Sequence, residues 1–288
     1  MNVGKSRDFK YYVPPQSPME PKPIYSLGDE HMRVACFVSG SGTNARRIIE
    51  RSLLEDSMYS VSLIFTDVRD DRLNKNGDKR CRAKYICDEY GIAYECVDIR
   101  DFYRKRGVKR AGDLTLRPEF DRLVLDAIEP HEIDVIALAG YMSVTTTPLL
   151  KRYSGKILNV HPADLSITDG HNRRYVGIHV VRDAILAGET EIRASTHVVR
   201  EKVDHGEILI ISEPVPVRLP EGVDLETLGS DRKLQGRVVD EHQDALKRLG
   251  DWTIFPLTIQ MIAEGRFALD GEGGVYLDGE YAPNGLKL

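Results

Sequence analysis

Three polar side chains have the types and positions needed to move a proton and stabilise an oxyanion. Asn159 and His161 lie in the segment 159–162 (Asn-Val-His-Pro), and Asp204 lies in a later Val-Asp-His-Gly turn. His161 can exchange a proton near neutral pH, and a neighbouring carboxylate is expected to fix its tautomer and raise its pKa. Asn159 can donate to a developing oxyanion. No Ser or Cys stands where a sharp turn would present a nucleophile, so we expect the attacking group to belong to the substrate.

The composition is that of a globular protein whose partners are small molecules. Of 288 residues, 41% are hydrophobic and 30% are charged, which is typical of folded domains. The formal net charge of −5 disfavours nucleic acid as a partner, and no apolar run is long enough to span a membrane. The four cysteines lack paired metal-ligand spacing. They are expected to be reduced thiols of a cytoplasmic protein, and no metal site is expected.

Short apolar segments alternate with amphipathic segments along most of the chain. The first apolar run is expected to be a strand buried on both faces, and a glycine-rich turn and a helix follow it. This alternation predicts an α/β fold, a Rossmann-like and mostly parallel sheet with helices on both faces and late antiparallel strands. The predicted strands are 34–38, 61–66, 93–97, 134–139, 156–160, 194–199 and 207–217, the predicted helices are 45–53, 81–90, 119–128, 147–153, 177–187, 225–249 and 254–264, and a hairpin is predicted at 267–278.

One region precedes this pattern and two regions interrupt it. Residues 1–32 are rich in proline and show little periodicity, which predicts an extended arm with ordered structure starting at Arg33. Residues 33–288 are expected to form a single domain. Within that domain, the basic stretch 103–117 is most simply a solvated insertion, and a second, polar insertion at 166–175 follows closely on the histidine.

The glycine-rich segment 40–44 (Gly-Ser-Gly-Thr-Asn) stands where a strand passes into a helix. Backbone amides at a helix N-terminus, with hydroxyl and amide side chains beside them, form a site for a phosphate monoester. The segment lacks the third glycine of the dinucleotide fingerprint and the Gly-Lys-Ser/Thr of a Walker loop. On the loop alone, a strand-to-helix turn capped by Thr43 or Asn44 is the slightly simpler interpretation.

Other segments also have both a structural and a functional interpretation. The segment 139–142 (Ala-Gly-Tyr-Met) could line a pocket for a flat heterocycle, or it could be a strand end packed in the core. Glu241 lies on a predicted helix one turn after Arg237, where a solvated ion pair is the simpler interpretation. The turn at Asp204 has common Asp-x-Gly chemistry, but His161 at the carboxyl end of a strand favours function.

Several of these segments together resemble one enzyme family. Residues from 33 to about 269 resemble the phosphoribosylglycinamide formyltransferases, folate-dependent enzymes of purine synthesis. The resemblance is carried by 38–44 (Val-Ser-Gly-Ser-Gly-Thr-Asn), 138–142 (Leu-Ala-Gly-Tyr-Met), 157–162 (Ile-Leu-Asn-Val-His-Pro) and 196–206 (Thr-His-Val-Val-Arg-Glu-Lys-Val-Asp-His-Gly), and more weakly by 241–242 and 255–257. The combination of Asn-x-His-Pro with Asp-x-Gly is typical of formyl transfer from folate.

The resemblance implies direct formyl transfer from the co-substrate 10-formyltetrahydrofolate to the amine of glycinamide ribonucleotide. Asn159 would then bind the oxygen of the tetrahedral adduct, and protonated His161, paired with Asp204, would act as general acid toward the folate nitrogen. A monomer or homodimer is expected. The residues implied to contact the substrates are Gly42, Thr43 and Asn44 for the phosphate, Glu241 for the ribose or amine of the acceptor, and Tyr141, Met142, Val144 and Val203 for the pterin.

The chain departs from the family pattern close to the substrates. The family carries Leu-Pro and a short aromatic-Pro-Gly stretch soon after the histidine, whereas here Leu165 is followed by Ser166 and a longer loop. We hypothesise that Arg173 or Arg174 in this loop reaches the acceptor phosphate. The alternatives are a 10-formyltetrahydrofolate hydrolase, a formyltransferase for another amino nucleotide or sugar, and a binding paralogue without turnover.

Overall fold

A computed structural model describes residues 20–28, 30–108 and 113–288. The strands in this part of the chain are β1 (Lys22–Pro23), β2 (Met32–Val38), β3 (Tyr59–Thr66), β4 (Ala93–Cys96), β5 (Val135–Leu138), β6 (Ile157–His161), β7 (Thr168–Asp169), β8 (Asn172–Arg173), β9 (Glu191–Ile192), β10 (Ser195–Val198), β11 (Ile208–Ile211), β12 (Val215–Pro216), β13 (Phe267–Leu269), β14 (Val275–Leu277), β15 (Glu280–Tyr281) and β16 (Leu286–Lys287).

The helices follow most of the predicted amphipathic segments. They are α1 (Thr43–Ser52), α2 (Ala83–Tyr90), α3 (Ile99–Lys105), α4 (Arg117–Ile128), α5 (Thr147–Arg152), α6 (Val180–Leu186), α7 (Leu225–Ser230), α8 (Arg232–Leu246) and α9 (Trp252–Ala263). A π-helical turn at Lys247–Asp251 joins α8 to α9. The predicted helix 225–249 is broken at Asp231, because that carboxylate accepts from the backbone amides of Lys233 and Leu234 and so caps a new helix.

The central sheet has eight strands in the order β16-β11-β10-β6-β5-β2-β3-β4. Its strands are parallel except β10, which is antiparallel to both β6 and β11. The prediction of a mostly parallel sheet with late antiparallel strands is therefore confirmed. The edge strand β16 was not predicted, because two residues at the chain end give no periodic signal. A separate antiparallel sheet, β1-β13-β14-β15, contains the predicted hairpin.

The side chains of β2 show why helices cover both faces of the sheet. Val34, Cys36 and Val38 belong to a buried cluster that includes residues of α1, α2 and α9. Ala35 and Phe37, which alternate with them, belong to a second cluster with residues of α3, α4 and α5. Because successive side chains of a strand point to opposite faces, both faces of this strand need apolar cover.

The N-terminal segment is ordered earlier than the sequence indicated. Strand β1 pairs with β13, Lys22 lies opposite Leu269, and Ile24 is buried. The expectation that ordered structure starts at Arg33 was therefore wrong, because the backbone of this proline-containing segment pairs with the edge of a small sheet, where proline is tolerated. Residues 1–19 of the predicted arm lie outside the described residues.

The basic stretch 103–117 is not simply a solvated insertion. Its first residue, Tyr103, is buried at the end of α3, and its last residue, Arg117, is 1% exposed at the start of α4. Arg117 donates to the carbonyl of Val144, and its guanidinium lies over the ring of Phe120. The expectation of a solvated insertion was therefore wrong at both ends of the stretch. At one end the ring of Tyr103 packs in the core. At the other, the aliphatic stem and guanidinium of an arginine can be buried when acceptors are available. Residues 109–112 lie outside the described residues.

Within the described ranges, none of the helices combines the length and the apolar character that a membrane crossing requires.

Replacing Phe37 with alanine is expected to lower the free energy of unfolding by about 3–5 kcal/mol, the usual cost of deleting a buried aromatic ring. The ring is fully buried and its centroid lies 4.7 Å from that of Phe65 and 5.3 Å from that of Tyr141. Chemical denaturation measures the change. The control, Tyr85→Ala, removes an exposed ring and should change stability by about 0.5 kcal/mol or less. Equal losses in the two variants would contradict this core assignment.

Candidate active site

Strand pairing brings the predicted amide and imidazole beside a second histidine. In the antiparallel register of β6 and β10, Asn159 lies opposite His197 and His161 lies opposite Ser195. Asn159 and His161 are two residues apart on β6, so their side chains leave the same face of the sheet. The register therefore places two imidazoles and one amide together, and the ring centroids of the histidines are 6.5 Å apart.

The Asp204 carboxylate lies between the two imidazoles. Its Oδ2 is 3.6 Å from Nδ1 of His161, and its Oδ1 is 3.6 Å from Nε2 of His197. The residue is buried and adopts a left-handed backbone conformation with φ 55°. Gly206 follows because a Cβ atom there would lie 1.8 Å from the carbonyl oxygen of Val198. The Asp-x-Gly turn is thus folded back tightly on β10.

Hydrogen bonds to carbonyl groups assign the protons on both rings. Nδ1 of His197 is 2.9 Å from the carbonyl oxygen of Val198, so it carries the proton and donates. In the neutral ring, Nε2 of His197 then accepts from the side-chain amide of Asn159 at 3.1 Å. Nε2 of His161 donates to the carbonyl of Tyr175 at 3.0 Å, which leaves Nδ1 of His161 facing Asp204.

Burial makes both imidazoles harder to protonate. Desolvation lowers the pKa of His161, and although Asp204 acts in the opposite direction, the net shift is downward. The pKa of His197 is lowered to about 4, again mainly by burial. Asp204 thus raises the pKa of His161 as expected, but the loss of hydration on burial outweighs a carboxylate held beyond hydrogen-bonding distance. His161 is neutral at rest near pH 7.

Most of the residues predicted to act or to contact substrates line one cavity of about 470 Å³. The cavity opens at the carboxyl ends of β5 and β6, where open α/β sheets bind their ligands. Apolar side chains are exposed on its wall, and Met142 is 73% exposed. The predicted residues that line it are Asn44, Tyr141, Met142, Val144, Asn159, His161, Val203 and Asp204.

A hydrogen-bonded network fixes the wall formed by residues 141–144. The backbone amide of Met142 donates to Oγ of Ser39 at 2.9 Å, and that hydroxyl donates to the buried Asp67 carboxylate at 2.6 Å. Ser143 donates to the other oxygen of the same carboxylate. The ring of Tyr141 packs edge-on against Phe37 below this network. The wall is therefore held rigidly, as a pocket for a flat ring requires.

The glycine-rich loop is a strand-to-helix turn with one residue in the cavity wall. Gly42 has φ 67°, and a Cβ atom there would lie 2.5 Å from Cδ1 of Ile86. Thr43 begins α1, and its hydroxyl lies 3.5 Å from that of Ser41. Asn44 is buried and lines the cavity. The amides at the N-terminus of α1 thus lie next to one end of the cavity.

Glu241 does not reach the cavity, and the buried acid at this end is Asp251. Glu241 lies on an exposed position of α8. Asp251 lines the cavity next to Asn44, whose amide lies 3.4 Å from it. Burial raises the pKa of Asp251 to about 6, and its Oδ1 has no hydrogen-bond partner among the described residues. Glu241, for which the resemblance implied a contact with the acceptor, therefore lies away from the cavity, and the π-helical turn carries the chain on to present Asp251 there instead.

The arginines of the longer loop are engaged by the protein itself. Arg173 donates to the backbone carbonyl of Asp204 at 2.6 Å. Arg174 lies 3.4 Å from Glu189, over the ring of Tyr175. The hypothesis that either reaches an acceptor phosphate receives no support from this geometry, because both guanidiniums already have acceptors and neither arginine lines the cavity.

Two residues of the site escaped the sequence reasoning. His197 lies in the segment 196–206 that carries the family resemblance, but no role was predicted for it. Its alternation with Ser195 on an apolar strand was the signal that could have indicated one. Asp251 directly precedes α9, the most apolar of the helices described above. A single acidic residue before a helix is usually exposed, so the sequence does not indicate that this one is buried. Among the described residues, no group of three or more His, Cys, Asp and Glu side chains is placed to hold a metal ion.

The mostly parallel sheet, the cavity at its carboxyl edge and the cluster of Asn159, His161, His197 and Asp204 are features that fit a formyl transferase. A family model described as formyl transferase matches residues 32–229, and the chain belongs to that family. It is 26% identical over 251 residues to the phosphoribosylglycinamide formyltransferase of Haemophilus influenzae, covering 87% of this chain and 96% of that protein. It is 27% identical over 253 residues to the Escherichia coli enzyme of the same name, covering 88% and 96%.

Solved structures share the fold over most of the chain. The phosphoribosylglycinamide formyltransferase of Coxiella burnetii superposes with a TM-score of 0.63 at 21% identity, covering 90% of this chain and all of that one. A formyltetrahydrofolate deformylase from Pseudomonas syringae pv. tomato gives a TM-score of 0.55 at 18% identity, covering 86% of this chain and 66% of that one. The fold is thus common to transferases and a deformylase.

The two imidazoles provide a direct test of the site electrostatics. We expect both histidines to titrate below 6.5, their ordinary value, in NMR spectra of the imidazole protons recorded against pH. Asp204→Asn should move the midpoint of His161 further down, because it removes the charge that favours the imidazolium. A wild-type midpoint for His161 above 6.5, or an upward shift in the variant, would contradict the assignment.

Proposed function

We propose that this enzyme transfers the formyl group of 10-formyltetrahydrofolate to the amine of glycinamide ribonucleotide in purine biosynthesis. The observation that carries the proposal is the cavity that holds Asn159, His161 and Asp204 between an apolar wall and the N-terminus of α1. The apolar wall suits a flat heterocycle, and the helix N-terminus suits a phosphate. The two matched relatives from Haemophilus influenzae and Escherichia coli are named phosphoribosylglycinamide formyltransferases, which supports this acceptor.

The chemistry needs no nucleophile from the protein. The acceptor amine attacks the formyl carbon, a C–N bond forms, and the carbonyl oxygen becomes an oxyanion. The side-chain amide of Asn159 donates to that oxygen, and its orientation is set by the bond to His197. The adduct collapses when the bond from its carbon to the folate nitrogen breaks, and tetrahydrofolate and the formamide are released.

Neutral His161 carries the proton between the two nitrogens. Its Nδ1 takes the proton that the attacking amine loses, and the imidazolium that forms lies 3.6 Å from the Asp204 carboxylate. The same proton then passes to the folate nitrogen as that bond breaks. The family resemblance implied that His161 is already protonated when it acts. In the reaction proposed here the ring starts neutral, because burial lowers the pKa of the resting imidazole.

The two ends of the cavity assign the substrates. Tyr141, Met142, Val144 and Val203 form the apolar wall that would hold the pterin of the donor. At the other end, the acceptor phosphate would bind the amides of Gly42 and Thr43 beside Asn44. Asp251 is buried, and one of its carboxylate oxygens has no partner in the part of the chain that the structure describes, so it would hold the amine or ribose of the acceptor.

The remaining features fit a small-molecule enzyme of the cytoplasm. We also assign the enzyme to the cytoplasm, where its four free cysteines would stay reduced. We assign the activity to a single domain that comprises the predicted residues 33–288 and, through the pairing of β1 with β13, also residues 22–24. We propose that it acts as a monomer or homodimer without nucleic acid or a metal. Hydrolysis of the donor is the second candidate, because a deformylase shares the fold.

A coupled assay with and without glycinamide ribonucleotide tests the function. Folate turnover is expected only with the acceptor present, and His161→Ala should lower kcat by about 10²–10⁴-fold, the usual contribution of a general acid–base group. His131→Ala removes a histidine that pairs with Glu95 outside the cavity and should leave the rate unchanged. Equal turnover without the acceptor would identify a hydrolase, and full activity in His161→Ala would contradict the catalytic assignment.

Asp251 and Glu241 give opposite predictions for the acceptor. Asp251→Asn should raise the acceptor KM by about tenfold or more while the folate KM changes little, because a buried charge partner of the amine is lost. Glu241→Gln should change neither constant, since that side chain lies on an exposed helix position. The reverse pattern would restore the role first implied for Glu241.

A further inference from the structure

One short segment of the lengthened loop contacts both members of the His161–Asp204 pair. The carbonyl of Tyr175 accepts from Nε2 of His161 at 3.0 Å, and the amide of Gly177 donates to Oδ2 of Asp204 at 2.9 Å. Arg173, at the end of β8, donates to the backbone carbonyl of Asp204 at 2.6 Å. Arg173, Tyr175 and Gly177 therefore position the imidazole and the carboxylate relative to one another.

The Asp204 turn needs such support from outside itself. A residue other than glycine with φ 55° adopts a conformation that L side chains rarely take, and the surrounding structure must hold it there. Gly206 prevents a collision with the carbonyl of Val198. Arg173 binds the turn through its backbone and Gly177 binds it through the carboxylate. Together they fix both the position of Asp204 and the direction of its oxygens.

The charge of Arg173 also acts on the imidazoles. The groups that face His161 are Asp204, which raises its pKa, and Arg173, which lowers it, and His197 stands beyond the carboxylate. Arg173 in turn faces two carboxylates, those of Asp204 and Glu207, and the latter is bound by Arg200. The positive charge of Arg173, a residue of the polar insertion, therefore lowers the pKa of His161, whereas the Asp204 carboxylate raises it.

We infer that Arg173 is a positioning residue for the formyl-transfer site, holding the Asp204 turn so that its carboxylate stands between His161 and His197. The inference rests on the proposed function. It gives the lengthened loop a role in the catalytic geometry, in place of the acceptor binding that the sequence indicated. Arg173 touches no substrate in this account and acts only through Asp204.

Three variants separate this role from a general loss of structure. Arg173→Ala should lower kcat about tenfold while both KM values change by about twofold or less, because the reacting groups are misplaced but the substrate walls remain. Arg173→Lys, which keeps the charge and a donor, should recover most of the loss. Arg174→Ala, which removes the neighbouring arginine bound to Glu189, should match the wild type.

The NMR titration of His161 gives a readout that does not depend on turnover. Asp204→Asn should lower the midpoint of His161 in the wild-type background, and in the Arg173→Ala background the same substitution should lower it by less, because the carboxylate no longer stands beside the imidazole. In the Arg174→Ala background the full shift should remain. Wild-type kcat in Arg173→Ala, or equal falls in the two alanine variants, would overturn the inference. If glycinamide ribonucleotide is not formylated by the wild type, the proposed function fails, while a full Asp204→Asn shift of the His161 midpoint in the Arg173→Ala background would overturn the positioning role separately.

Discussion

A carboxylate buried between two imidazoles is the constraint on which the rest of this structure depends. Asp204 stands 3.6 Å from a nitrogen of His161 and 3.6 Å from a nitrogen of His197. A buried charge must be compensated, and here the compensation comes from polar groups that strand register and loop contacts supply. The antiparallel insertion of β10 beside β6 is what makes the arrangement possible, since it sets His197 opposite Asn159. The same burial keeps His161 neutral at rest and available to take a proton.

Much of the fold and part of the site follow from the sequence because they depend on local patterns. Apolar runs such as 34–38, with short amphipathic segments between them, are enough to predict strands covered by helices on both faces. The carboxyl end of a parallel strand is a ligand-binding position by topology, so His161 could be assigned before its neighbours were known. Tyr141 and Met142 follow the same rule at the end of β5.

The parts that failed depend on contacts between distant residues. Asp251 reaches the cavity through a π-helical turn that no periodicity reveals, so Glu241 was the nearer candidate in sequence. Arg117 is charged, yet it is buried against Phe120 and the carbonyl of Val144. The pKa of His161 follows from a competition between burial and Asp204, and only the structure gives the relative weight of the two. The residue types in the sequence determine which groups can titrate, but the packing around them determines whether a pKa is raised or lowered.

In the proposed reaction the attacking group belongs to the acceptor, and the formyl carbon passes directly from folate to amine. The most direct measurement follows a ¹³C label in the formyl group of the donor through a single turnover with glycinamide ribonucleotide. Direct transfer predicts that the label appears in the formamide of the acceptor, in proportion to the tetrahydrofolate released. Recovery of the label as free formate, with the acceptor unchanged, would contradict it.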